Sequence, residues 1–226
     1  MRDWKMVAPV GISLVLVLSV SSCADRKDGD GPFTVAEVCD GAFSGDSAKA
    51  IESLTPSGKY RSYASGGLDR VTKDLKRKYG EDGKSAPSLF CGISGVERGD
   101  IGAKINFNIY DPEYTDGDRT WYDRDVYAMG IYSVAGPRDA SLYFECASPH
   151  IDGSVKEPAP IVGRLDQQRS LLEKDTRTLR DINMSILHAA TLAVAKKLEC
   201  ENDGGLPAKV DLQVRHPAES DQDQDR

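Results

Sequence analysis

Between residues 104 and 110 the chain alternates cleanly, with Ile105, Phe107 and Ile109 on one side and Lys104, Asn106 and Asn108 on the other. A period of two predicts a strand with one buried face. The same period places Leu89, Cys91 and Ile93 on one face of a strand over 88–93. It places Leu142, Phe144 and Cys146 opposite Tyr143 and Glu145 in 140–147. A further strand is expected over 122–134, joined to 140–147 by Gly136-Pro137-Arg138-Asp139, a turn sequence. Polar residues at alternate positions leave one face of the sheet wet, which favours antiparallel pairing.

Elsewhere the period is helical. Residues 34–43 predict a short helical turn opened by Thr34, with Glu37 completing a capping box. Residues 44–54 repeat Ala48, Ile51 and Leu54 every three positions. Leu68, Val71, Leu75 and Tyr79 form a helix that starts after Gly66-Gly67 and stops at Gly80. Its other face carries Arg70, Lys73, Lys76 and Arg77, a pattern that suits a solvated face or contact with anionic headgroups. Residues 149–164 are Pro-rich and read as loop. The longest helix is expected within 170–200. Its stripe is Leu179, Ile182, Ile186, Ala189, Ala190 and Ala193, with Leu187, Val194 and Leu198 widening it. Small alanines would let this helix sit close to a sheet, with Lys197 packing its stem in the last turn. Gly204-Gly205-Leu206-Pro207 stops it. Residues 209–214 are a candidate edge strand, and the polar end reads as a frayed tail.

The N-terminus changes the picture. Arg2 and Lys5 precede residues 6–20, which carry no charge. That run is too short for a membrane span of about 20 residues and fits the apolar core of a signal peptide. It ends in Val20-Ser21-Ser22-Cys23, which resembles the lipobox of bacterial lipoproteins. The resemblance implies lipidation of Cys23 and removal of residues 1–22. The expected organisation is then a signal peptide over 1–22, a Gly-rich tether over 23–33, one globular domain over 34–215 and a disordered tail over 216–226. Loss of residues 1–22 leaves 27 basic and 35 acidic side chains, a net charge of −8 against −7 for the whole chain. That acidic balance argues against a nucleic-acid partner. The membrane, reached through the lipid on Cys23, is the expected partner, together with an unidentified protein or small molecule.

Besides Cys23 there are four cysteines, Cys39, Cys91, Cys146 and Cys200. An even number in an exported protein favours two disulfides. No CxxC, CxxH or HxxxH spacing supports zinc. Three pairings are open. Cys91 and Cys146 fall on inward strand faces, Cys39 and Cys200 near helical ends. The shortest wiring, Cys39–Cys91 with Cys146–Cys200, is the expectation.

Candidate chemistry is sparse. Of His150, His188 and His216, only His150, near Asp152, could serve as a catalytic base; no GxSxG elbow accompanies it, and a solvated loop histidine is the better reading. Ser94, in GISGVERG, lacks the strand–turn–helix setting of a nucleophile. The acidic stretch 111–125 crowds Asp111, Glu113, Asp116 and Asp118 around Gly117, but the glycine comes one place late for an EF-hand and Tyr122 stands where the bidentate Glu belongs. Aromatic residues concentrate in the sheet region. Tyr110, Trp121, Tyr122 and Tyr143 are a candidate binding surface, able to stack on sugars or anchor a partner; cross-strand packing by good strand formers is the better explanation of them.

Taken together, Val20-Ser21-Ser22-Cys23, the Val38-Cys39-Asp40 start, the Phe90-Cys91 strand and Cys200-Glu201-Asn202 after an Ala-rich helix are similar to a broad class of uncharacterised actinobacterial surface lipoproteins. That resemblance implies an anchored extracellular domain and supplies no catalytic residues. The expected fold is α+β, an antiparallel sheet covered on one face by helices and stapled by two disulfides. The expected function is non-enzymatic binding of a ligand or partner at the envelope, without a cofactor or metal; a cell-envelope hydrolase is the alternative.

Overall fold

Ile105 pairs with Leu165 and Leu165 with Ala140, so the alternating apolar positions line up across strands into one buried face. The structure, a computed structural model, describes residues 32–55, 58–63, 66–80, 86–97, 102–112, 122–167 and 177–222. Its strands are β1 (Tyr60–Tyr63), β2 (Ser88–Gly95), β3 (Gly102–Ile109), β4 (Asp125–Tyr127), β5 (Tyr132–Ala135), β6 (Asp139–Cys146), β7 (Ala159–Gln167) and β8 (Val214–His216). They form a single sheet in the order β1-β2-β3-β7-β6-β5-β4-β8, and every neighbouring pair is antiparallel. The helices are α1 (Gly45–Leu54), α2 (Gly67–Lys78), α3 (Arg177–Lys197) and the short α4 (Glu219–Gln222). The expected α+β class and its antiparallel sheet are therefore present. Among the described residues no helix is long and apolar enough to cross a membrane.

The core lies between the sheet and the helices. Ile105, Phe107, Leu142, Phe144, Ile161 and Leu165 meet Leu187, Ala190 and Val194 of α3 and Val71 and Leu75 of α2, all essentially without exposed surface. Each large aliphatic or aromatic side chain removed from water in this way is worth about 1.5–3 kcal/mol. Phe90 stands edge-on to Phe107, with ring centroids 5.9 Å apart. At Gly163 of β7, a Cβ would come within 2.8 Å of the Phe107 ring and 3.0 Å of Thr191 Oγ1, so the glycine lets α3 close on the sheet.

Both disulfides have the expected pairing. Cys39–Cys91 ties the turn before α1 to β2, with Cα atoms 5.4 Å apart and a sequence separation of 52. Cys146–Cys200 ties the end of β6 to the exit of α3, with Cα atoms 4.9 Å apart and a separation of 54. A loop of this length corresponds to about 4 kcal/mol on a chain-entropy estimate.

Several local expectations are corrected. The strand expected over 122–134 is two strands, β4 and β5, because the chain turns at residues 128–131, where Gly130 has φ +57°. Residues 149–164 are not all loop: β7 begins at Ala159, and Ile161, Gly163 and Leu165 alternate inward. Pro158 and Pro160 mask that strand in the sequence, yet the Pro160 carbonyl still accepts from the Tyr110 N–H at 3.0 Å. Leu89 does not share a face with Cys91 and Ile93, because the register shifts between Leu89 and Cys91; a bulge of one residue reverses the alternation. The short helical turn expected in residues 34–43 is a 3-10 turn over Cys39–Gly41. Glu37 does accept from the Thr34 N–H and hydroxyl, at 2.8 and 2.7 Å, which holds its carboxyl below the usual range. Then the backbone turns left-handed through Cys39, Asp40 and Gly41.

The sheet's outer face is not uniformly wet either. Val126, Tyr132 and Val134 are buried there with Tyr143 against them, a second small apolar cluster. The candidate edge strand over 209–214 appears later, as β8. Within the segment expected to be a tail, Ala218 is fully buried and its N–H donates to Asp125 at 2.8 Å.

Candidate functional site

Of the expected surface, Tyr110 and Tyr143 come together on the outer face, perpendicular and with centroids 5.0 Å apart. Tyr132 tilts against Tyr143 at 5.8 Å. Burial, with Glu145 and Tyr143 adding to it, pushes the Tyr110 phenol up to about 12. These rings pack on one another across strands, as strand aromatics do. Tyr122 is 67% exposed. Trp121 lies outside the described residues, as do Cys23, the lipobox, the tether to residue 31 and, in the acidic loop, Glu113, Asp116 and Asp118. Among the described residues no group of three or more His, Cys, Asp or Glu side chains is placed to hold a metal.

The three imidazoles are dispersed. His150 Nε2 lies 3.0 Å from Glu199 Oε2 on the surface. His216 stands on edge strand β8 opposite Val126. His188 is buried in α3, and its Nε2 lies 2.9 Å from the Pro207 carbonyl oxygen. A carbonyl can only accept, so Nε2 carries the proton; burial lowers the His188 pKa and favours the neutral ring. Among the described residues no imidazole nitrogen is hydrogen-bonded to a serine or cysteine side chain.

His188 also lines a cleft of about 500 Å³ between α1, α3 and residues 208–210. Its floor is the outward side of α3, where Ala189, Leu192 and Ala193 recur at helical spacing. Ala189 and Ala193 are only half-buried, so they do not bring the helix onto the sheet; Ala190 does that. Their small side chains keep the cleft open. The start of α1 forms the facing wall. There the Ser44 N–H donates to Ser47 Oγ at 3.1 Å, and Ser47 donates back to the Ser44 carbonyl at 2.9 Å. Lys196 and Lys209 stand exposed on the rim, and Asp46 lines the cleft from α1, paired with Lys49 at 3.4 Å. The His188–Pro207 bond positions the third wall. The arrangement offers an aliphatic floor, two ammonium groups, hydroxyls and the positive end of a helix dipole. It contains no nucleophile–base pair among the described residues.

Sequence reading does not find this cleft. Its one signal is the Ala189/Ala193 spacing, which periodicity alone assigns to the sheet side. Lys209 and Ser47 arrive from distant segments. Compared with known proteins, the chain matches no family model, no curated protein and no solved structure.

Proposed function

We propose that this chain is an envelope lipoprotein, anchored through Cys23 on the extracellular face of the membrane, whose domain binds a small ligand without chemical turnover. The lipobox-like Val20-Ser21-Ser22-Cys23 supports the anchor. The two disulfides, Cys39–Cys91 and Cys146–Cys200, support an oxidising compartment. The observation that carries the ligand reading is the cleft of about 500 Å³, which falls within the usual range for small-molecule sites, about 300–1,000 Å³. Its chemistry suits a ligand with a short apolar body and an anionic or accepting end, placed between Lys196 and Lys209. The alternative, an envelope hydrolase, has no observation that favours it.

The test is native mass spectrometry of the lipoprotein purified from its own membranes, beside Ala193→Trp, which fills the cleft. The expected result is a bound small molecule in the parent and none in the folded variant. Identical spectra, with nothing bound to either, overturn the ligand reading. Fatty-acid labelling of the parent and of Cys23→Ser tests the anchor separately, since only the parent should take up label.

A further inference from the structure

We propose that the outward face of α2 rests on the anionic phospholipid headgroups of the membrane that holds the anchor. The proposal rests on the Cys23 reading for why the domain stays near a bilayer, but the surface itself can be tested without any lipid on the protein.

The helix is strongly two-sided. Val71 and Leu75 point inward with no exposed surface. With 3.6 residues per turn, Lys73 falls near the centre of the opposite arc, with Arg70, Lys76 and Arg77 three or four residues away. All four are exposed. Both acids of this helix are paired, one of them with a cation of the arc itself, since Asp74 Oδ1 lies 3.4 Å from the Arg77 guanidinium. Asp69 is paired with Lys197 of α3, Nζ to Oδ1 at 2.9 Å. Asp74 is half-buried and accepts from the Ser88 hydroxyl at 2.8 Å, which holds its carboxyl below the usual range. The remaining cation, Lys78, is turned inward and donates to Ser88 Oγ at 2.9 Å and to the Ala86 carbonyl. What α2 presents to solvent is therefore an arc with a positive excess, centred on the exposed Lys73 and Lys76, with Arg70 also donating to the Leu89 carbonyl at 2.9 Å, on a chain whose net charge is −7. Glu81, Asp82 and Lys84 lie outside the described residues.

The arc also lies near the end from which the tether comes. Phe33 pairs with Tyr60 on the outer edge of β1, through hydrogen bonds of 2.8 and 2.9 Å. A few residues later Asp40 accepts from the Leu68 N–H at 2.8 Å and the Gly66 N–H at 3.3 Å, at the very start of α2. The incoming chain is thus fastened to α2. Cys23 stands only ten positions before Phe33. A stretch of that length can span at most about 35 Å. The bilayer is within reach, and its anionic headgroups complement the arc by charge. Attraction between a basic surface and anionic lipid is weak for each residue and screened by salt, but a tethered domain meets the membrane at high effective concentration.

The test uses the chain after removal of residues 1–22, with Cys23→Ala, which touches none of the described fold. Sedimentation with phosphatidylglycerol/phosphatidylcholine vesicles is compared with pure phosphatidylcholine. The expected result is at least about tenfold stronger partition onto the anionic vesicles at low salt, abolished at high salt. Lys73→Glu with Lys76→Glu should remove that preference. Lys104→Glu with Arg164→Glu makes the same change of charge on the outer face of the sheet and should leave most of it. Both double variants are first shown to melt like the parent. Equal partition onto both vesicle types overturns the proposal, as does an equal loss in the control pair. Retention on soluble polyphosphate but not on vesicles also overturns it, assigning the arc to a soluble polyanion. Failure of the anchor reading shows instead as absence of label at Cys23, and leaves the vesicle result untouched.

Discussion

Arg180 has no exposed surface, and its Nε donates across 2.8 Å to Asp125 Oδ2, a carboxylate that is also fully buried. The other Asp125 oxygen accepts the Ala218 N–H at 2.8 Å, and the second arm of Arg180 reaches Asp221. One guanidinium from α3 therefore joins β4 to the C-terminal segment. Nearby, Tyr127 donates to Asp181 at 2.8 Å, and burial raises the pKa of both groups. Removing one partner of a buried pair strands the other charge away from water.

Arg180→Met should therefore lower the unfolding free energy by about 3–5 kcal/mol. Asp221→Asn should cost much less, because that side chain is 35% exposed. Urea titration of the two variants beside the parent measures both. A loss in Arg180→Met no larger than that in Asp221→Asn would mean that the buried Asp125 finds other compensation.

The disulfides give a second expectation. Cys39, Cys91, Cys146 and Cys200 should resist alkylation, and non-reducing peptide maps should link them only as Cys39–Cys91 and Cys146–Cys200. Replacing Cys146 and Cys200 together by serine should cost about 4 kcal/mol, or less where the unfolded chain retains structure. A map linking Cys39 to Cys146 contradicts the geometry directly.

The sheet was legible where alternation was clean. Ile105, Phe107 and Ile109 point inward as their spacing requires, and so do Leu142, Phe144 and Cys146. It was illegible where backbone chemistry interrupts the period. Two prolines hide the start of β7, and a bulge at Phe90 turns Leu89 outward. On α3, Arg180, Asn183 and Thr191 are fully buried beside Leu187 and Val194. Polar residues that find partners inside look like solvent positions in a one-dimensional pattern. Asn183 donates to the Gly136 carbonyl at 2.9 Å, and Arg180 pairs with Asp125, across sequence distances that no local window spans. The cleft escaped notice for the same reason, since its walls are joined only by the fold.

His188 predicts a pH dependence. Burial lowers its pKa below 6.5, so the folded ring stays neutral where the unfolded chain takes up a proton. Stability from this group is complete above the unfolded value and is lost as pH falls from about 7 toward the folded pKa, by at most about 1.4 kcal/mol per pH unit. Asp139 and Asp181 are raised by burial and act with the opposite slope, beginning near 3.8. Comparing His188→Gln with the parent between pH 7 and 5 cancels their contribution. The parent should lose stability more steeply than the variant; parallel curves would show that the buried ring does not set the slope.

The last expectation concerns Gly66 and Gly67, the pair at the start of α2. They look interchangeable in sequence and are not. Gly66 has φ +67° with nothing within 4 Å of a built Cβ, so alanine there suffers only the left-handed backbone, about 1–2 kcal/mol. Gly67 is the first residue of the helix, and its Cβ would collide with the Phe90 carbonyl of β2. Helix propensity alone favours alanine over glycine by about 1 kcal/mol, so the two effects at Gly67 oppose each other. A collision with backbone cannot be relieved by a rotamer change. α2 must move off β2, loosening Val71 and Leu75 in the core and the Asp40 cap on Leu68. Gly67→Ala should therefore destabilise by about 2–3 kcal/mol, the scale of an overpacked contact, and by more than Gly66→Ala. Thermal and urea unfolding of the two variants decide it. A neutral or stabilising Gly67→Ala would mean that propensity prevails and that α2 stands further from β2 than the Phe90 contact requires.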